Sequence, residues 1–205
     1  MRRFDTARRT GVIRRAVILG CAVALAAGSC FAQSRTDPSR GAAKAAPCGA
    51  CHGLPQRPPL AGMPSLAGQQ EPFLVLQMFL MREGLRDVPQ MAGTLKDFSD
   101  RDLDEVAAYF SRQKPARGKS SGKPKLHASG AALARGMACG SCHLGDYTGQ
   151  RQVPRLANQR EDYLAATMRA YRDNKRISTD TSMNRVLYQV PDGDIEALAH
   201  YLAHQ

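Results

Sequence analysis

The sequence predicts an all-α protein made of two tandem copies of one small helical unit, and three observations carry that prediction. The pentapeptide Cys48-Gly-Ala-Cys51-His52 returns 91 positions later as Cys139-Gly-Ser-Cys142-His143. The match extends well beyond those motifs: PSLAGQ at 64–69 lies over PRLANQ at 154–159, and DRDLDEVAAYFSRQ from Asp100 lies over DGDIEALAHYLAHQ from Asp192. Finally, apolar residues recur at helical spacing, and no stretch shows the two-residue alternation of a strand bounded by hairpin turns.

In chain order, the first element is a segment to discount. MRRFDTARRTGVIRR is basic, AVILGCAVALAAGSCFA is apolar, and a polar stretch follows, so residues 1–32 read as an export signal cut after Ala32. The rival readings are an uncleaved membrane anchor, for which the apolar run is short of the ~20 residues a spanning helix needs, and a lipid-modified Cys30 with a poor lead-in. Residues 1–32 hold six arginines and one aspartate, so from residue 33 onward 23 basic residues face 17 acidic ones, a net of +6 instead of the whole-chain +11. That modest surplus, without a stripe of base-stacking aromatics, excludes nucleic acid as the partner and leaves a surface suited to acidic protein patches.

The first copy is expected over 36–115 and the second over 128–205. Phe73, Leu76, Gln77 and Leu80 lie over Tyr163, Ala166, Thr167 and Ala170 as one helix, with Met78 over Met168 in its middle. Leu103, Val106, Ala107 and Phe110 make one apolar face of the closing helix, which Ser99 and Asp102 are placed to cap. Residues 116–127 lie in a Lys-, Gly-, Ser- and Pro-rich stretch that reads as a linker. Units of this size are marginal without a metal, disulfide or cofactor.

Cysteine usage names the stabiliser. Cys21 and Cys30 leave with the signal, and the four that remain all lie in the two CxxCH motifs, so no structural disulfide framework is left. On a helical turn the two sulfurs of CxxCH can reach the two vinyl groups of one porphyrin, and the adjacent imidazole comes under the iron. A redox dithiol should follow a strand in an α/β pattern, and a four-cysteine zinc site would need both halves to converge across the linker. Neither explains the repeated histidine. Two covalently bound haem c groups are therefore expected, with Cys48, Cys51, Cys139 and Cys142 as thioether anchors and His52 and His143 as axial ligands.

A second axial ligand should recur between the halves. Two methionine pairs do so, Met78 with Met168 and Met91 with Met183. The first pair sits mid-helix among apolar neighbours, where methionine packs as core. Met91 and Met183 lie in loop contexts and share the offset of the closing helix, so they are the expected iron ligands. His127, His200 and His204 have no repeat counterparts and read as exposed surface histidines.

CGACHG, PSLAGQ, VPQMAGTLKDFSDRDLDEVAAYF and their partners in the second half resemble the class I cytochromes c, in particular the two-domain dihaem cytochrome c4 family, over about residues 38–205. The resemblance implies two small helical domains with neighbouring haems. It also implies that the carbonyls of Pro64 and Pro154 hold the second imidazole nitrogens, and that Tyr109 and Tyr201 pack where the terminal helices meet. By the same resemblance the protein is not an enzyme but a monomeric periplasmic electron carrier in a respiratory chain. Its partners would be a membrane quinol-oxidising complex and a terminal oxidase, with peripheral membrane association as a further expectation. The alternatives are an electron-accepting cytochrome subunit of a periplasmic dehydrogenase for a sulfur compound or an alcohol and, with Met91 and Met183 in matching places arguing against it, a dihaem peroxidase. Departures from the family pattern are the proline-rich LPQRPPLAG after the first motif, Leu144 after His143, Asn158 in place of glycine, and two extra residues before Met183.

Overall fold

The protein is described by a computed structural model covering residues 38–205 apart from 55–56, 117–121, 177–178 and 180; the expected signal segment 1–32 lies outside the described residues. The first half holds α1 (Pro38–Ala45), α2 (Gly49–His52), α3 (Glu71–Arg82), a 3-10 turn (Pro89–Met91) and α4 (Asp100–Ser111). The second holds α5 (Pro124–Gly136), α6 (Gly140–His143), α7 (Glu161–Arg172), α8 (Ser182–Leu187) and α9 (Asp192–Ala203). Among the described residues there is no strand ladder, only single bridges Leu54 to Arg57 and Gln150 to Val153, each in the turn that follows a CxxCH motif.

Each half is built the same way: its first helix crosses its last, and its middle helix packs on the last from another side. The crossing is tight because Gly41 of α1 and Gly130 of α5 lie against backbone. A Cβ at Gly41 would collide with the Glu105 carbonyl, and one at Gly130 with the Ala197 carbonyl. Ala45 and Ala134, one turn further on, are both buried at that contact, and Tyr109 and Tyr201 flank it. Only small side chains on that stripe let the helices approach so closely.

Each middle helix is also tied to its closing helix by an arginine at the same repeat position. Arg82 donates to the Phe98 carbonyl at 2.9 Å and to Asp100 at 2.7 Å. Arg172 does the same to Val190 at 3.1 Å and Asp192 at 2.7 Å. These exposed ion pairs add little each; the carbonyl bonds fix where the closing helix starts.

The two cores are equivalent. Leu74, Met78, Leu95, Leu103, Val106, Ala107 and Phe110 fill the first, and Leu164, Met168, Tyr171, Leu187, Ile195, Leu198, Ala199 and Leu202 fill much of the second. Met78 and Met168 are thus interior packing of α3 and α7. Helix α5 begins at Pro124, inside the stretch 116–127 read from the sequence as linker. Proline at the start of a helix costs no hydrogen bond, since that N–H would have no intrahelical partner. Thr36–Gln205 forms one compact unit, and among the described residues no helix is long and apolar enough to cross a membrane.

Candidate functional site: two thiol–imidazole turns

Helix α2 is a single turn, and His52 N–H donates to the Cys48 carbonyl at 2.9 Å. Cys48, Cys51 and His52 therefore occupy positions i, i+3 and i+4 and share one face. In α6 the His143 N–H bond to the Cys139 carbonyl, 3.1 Å, produces the same face from Cys139, Cys142 and His143. None of the four cysteines is in a disulfide; Cys51 and Cys142 are exposed, and burial pushes the Cys48 and Cys139 thiols up.

The imidazoles are the best-defined groups of the site. His52 Nδ1 lies 3.0 Å from the Pro64 carbonyl oxygen, and His143 Nδ1 lies 2.8 Å from that of Pro154. A carbonyl can only accept, so Nδ1 carries the proton and donates it in both rings. Burial lowers both histidine pKa values, with the carbonyl bonds as the smaller opposing effect, so the rings are neutral near pH 7. Each ring then has an unprotonated Nε2 lone pair on the side away from the proline. Two thiols and an imidazole fixed in that tautomer, on one helical face, are the donor set that a covalently attached haem requires. The residues present fit the group in both halves.

The methionines named from the sequence fall in matching places. Met91 ends the 3-10 turn and Met183 lies in α8, each half-buried and packed against the core of its own half. The structure differs from the sequence reading in giving both a helical instead of an open-loop setting. Asn184, next to Met183, donates to the Tyr171 carbonyl at 2.8 Å and the Arg176 carbonyl at 3.0 Å, which pins α8 to the end of α7.

Leu144 and Asn158 adopt the backbone that glycine has in the first half. Gly53 has φ 82° and ψ 159°, and Leu144 has φ 68° and ψ 161°, a region nearly closed to side chains. Asn158 at φ 57° replaces Gly68 at φ 65°. The departures in sequence are thus absorbed as local strain, with the histidine–proline bond kept.

Sequence reasoning missed two features here. His200 is not an exposed histidine: it is 1% exposed, with Nδ1 3.0 Å from Glu161 Oε2, because it falls on the inner face of α9 where the first copy has buried Ala108. His127 and His204 are half-buried beside it, with ring centroids 6.4 Å and 4.3 Å from that of His200. The buried repeat partner Ala108 was the available signal. Second, Arg86 and Arg176 meet where the halves join. Arg86 donates to Gln77 at 2.6 Å, and Arg176 to Tyr163 at 3.3 Å and Thr167 at 3.4 Å. Burial, then the Arg176 charge, holds Arg86 below the usual arginine range. Among the described residues neither guanidinium is paired with a carboxylate. For Arg176 burial acts downward as well, but the neighbouring Tyr163 and Tyr171 outweigh it and hold that guanidinium above the usual arginine range.

Helical halves of this construction, each with a thiol–imidazole turn under a proline carbonyl, define a class I cytochrome c fold repeated in tandem. The cytochrome c family model matches residues 127–205. The chain is 37% identical over 183 residues to cytochrome c4 of Pseudomonas aeruginosa, covering 84% of this chain and 90% of that protein. It superposes on the crystal structure of reduced recombinant cytochrome c4 from Pseudomonas stutzeri with a TM-score of 0.75 at 34% identity, over 82% of this chain and 97% of that one. It is also 33% identical over 178 residues to a thiosulfate dehydrogenase electron acceptor of Thiomonas intermedia, 79% of this chain and 80% of that protein. The chain belongs to the cytochrome c4 family and is an electron-transfer cytochrome.

Proposed function

We propose that the protein is a dihaem carrier that moves single electrons between respiratory-chain partners in the periplasm, taking them from a membrane quinol-oxidising complex and passing them towards a terminal oxidase. The observation that carries this reading is the matched pair of histidine–proline bonds, one per half, each with a methionine at the corresponding place. In it, Cys48 and Cys51 anchor the first haem with His52 and Met91 axial, and Cys139 and Cys142 anchor the second with His143 and Met183 axial. Pro64 and Pro154 hold the imidazoles. The domains are residues 36–115 and 128–205, the segment 116–127 joins them with its last four residues already in the first turn of α5, and residues 1–32 are the export signal.

The haem iron supplies the redox change; the residues supply its setting. The neutral imidazoles present a lone pair at fixed orientation, and methionine ligation raises the potential. With His52 and Met91 holding one iron and His143 and Met183 the other, no position would be left for a substrate, and the protein would serve as an electron carrier and not as an enzyme.

A second reading is favoured by one specific finding, the likeness to thiosulfate dehydrogenase electron acceptors. In that reading the same two haems take electrons from a separate catalytic subunit. Stable co-purification with a dehydrogenase would select it over a free carrier.

The test is the spectrum of the oxidised protein. A methionine-to-iron charge-transfer band from both haems is expected, reduced by half in Met91→Ala and again by half in Met183→Ala, and lost in the double variant. A high-spin or bis-histidine signature in the native protein overturns the assignment.

A further inference from the structure

The proline carbonyl that receives each imidazole proton belongs to a planar peptide group whose other end is a backbone N–H. In the first half that group runs from the Pro64 carbonyl to Ser65 N–H, and Ser65 N–H donates to Gln159 Oε1 at 2.8 Å. Gln159 comes from the second half. Its Nε2 returns a bond to the Ser65 carbonyl at 2.9 Å, so the side chain clamps that backbone from both sides. The mirror arrangement is complete. Arg155 N–H, on the same peptide as the Pro154 carbonyl, donates to Gln69 Oε1 at 2.7 Å, and Gln69 Nε2 donates to the Arg155 carbonyl at 3.1 Å.

Both glutamines are buried, at 5% and 7% exposure, and both lie 90 positions apart as the last residues of PSLAGQ and PRLANQ. The orientation of each amide is fixed by its bonds. Each Oε1 accepts a second N–H at 2.9 Å, from Gln70 and Arg160 respectively, and each Nε2 faces a carbonyl. No flipped amide would satisfy those partners.

We propose that Gln69 and Gln159 are crossed positioning residues, each setting the basicity of the imidazole in the opposite half through a single peptide group. A peptide whose N–H is donated to a buried acceptor carries more negative charge on its oxygen, and linked hydrogen bonds polarise one another in this way. A stronger carbonyl acceptor draws the Nδ1 proton, enriches Nε2 and favours the oxidised iron. The potential of the first haem thus depends on Gln159 of the second half, and that of the second haem on Gln69 of the first. The packing of the halves thereby becomes part of the redox tuning.

The inference rests on the haem ligation proposed above, and its experiment keeps the two apart. The full exported holoprotein carrying Gln159→Met, Gln69→Met or the control Gln70→Met is titrated electrochemically. The two haems are followed separately through their axial-methionine methyl resonances, assigned with Met91→Ala and Met183→Ala. Gln70 Nε2 donates across the same junction to the Thr148 carbonyl at 2.9 Å and the Gly149 carbonyl at 3.1 Å, its side chain touches neither relay peptide, and its replacement by methionine changes no charge.

Gln159→Met is expected to shift the His52 haem by about two- to fivefold in its reduction equilibrium towards the reduced state, leaving the His143 haem in place. Gln69→Met should do the reverse, and Gln70→Met should move neither. Equal shifts of both haems, a shift in the haem of the glutamine's own half, or a shift matched by Gln70→Met overturns the relay. Native spectra without histidine–methionine ligation would instead remove the reading beneath it.

Discussion

The two halves reach one geometry by different chemical means. Among the described residues, every positive-φ position of the first half is a glycine, at Gly53, Gly62, Gly68, Gly84 and Gly93. In the second half seven positive-φ residues carry side chains, among them Leu144, Asn158 and Asn174, which stand where the first copy has Gly53, Gly68 and Gly84. Asparagine tolerates that backbone at small cost, whereas leucine does not. The turn after His143 therefore survives because its surroundings hold it. The Gly149 N–H donates to the His143 carbonyl at 2.9 Å, and the Gln150–Val153 bridge closes the loop. The contrast teaches that the histidine–proline bond, not the residue types around it, is what both halves preserve.

The largest expected difference between the halves lies where their terminal helices cross. Alanine at Gly130 would also press its Cβ to 2.6 Å from that of Tyr201, whereas at Gly41 the Tyr109 Cβ is 3.3 Å away. Overpacking of this kind costs about 1 to 3 kcal/mol, occasionally more. Thermal unfolding should rank Gly130→Ala below Gly41→Ala, with both below the parent; equal losses would mean that the two crossings are equally tight.

A smaller difference separates the closing helices. Ser99 and Asp102 form a reciprocal capping box, with Ser99 N–H donating to Asp102 at 2.9 Å, while α9 starts from Pro191 without a side-chain cap. Ser99→Ala should cost about 1 kcal/mol, and no substitution at Pro191 can remove an equivalent bond. Asp102 also accepts from Lys44 at 2.6 Å, and Lys44 first, then Ser99, holds its carboxyl far below the usual carboxylate range. A depressed carboxylate pKa contributes stability that is fully present above the ordinary value near 3.9 and is lost progressively as pH falls from there to the lower folded-state value. Acid titration of unfolding should therefore show the first half weakening below about pH 4, and Ser99→Ala should flatten that dependence.

A net effect of about the same size is expected at Leu144. Strain in this region is worth about 1 to 3 kcal/mol, and glycine gives back about 0.5 to 1 through its unfolded-state entropy. Leu144→Gly should stabilise the second half by about 1 kcal/mol, while Gly53→Leu should destabilise the first. An unchanged melting temperature for Leu144→Gly would show that the leucine's packing offsets its strain.

Much of this was legible in the sequence because the repeat made each claim checkable against its copy. The thiol–imidazole turns, the helices around Met78 and Met168, and the Ser99 cap are local patterns, and local patterns leave periodicities. What stayed hidden was non-local. PSLAGQ and PRLANQ are visible as a repeat, but nothing in either shows that Gln159 reaches Ser65 across 94 residues, or that Gln69 reaches Arg155 across 86. The α5 start was hidden by composition, since PKLHASG follows a Lys- and Gly-rich stretch and its helical character comes from packing Gly130 on α9. His200 was missed because a histidine without a counterpart was compared by residue type instead of by the burial of Ala108.

The central claim is that each half holds one covalently attached haem at its own thiol–imidazole turn. Intact-mass measurement of the exported protein, followed by mapping of its haem-bearing peptides, tests it most directly. The account predicts a mass of the chain plus two haem groups, with one haem on the Cys48–Cys51 peptide and one on the Cys139–Cys142 peptide. A single haem, or a Cys48–Cys51 or Cys139–Cys142 disulfide in its place, would contradict it.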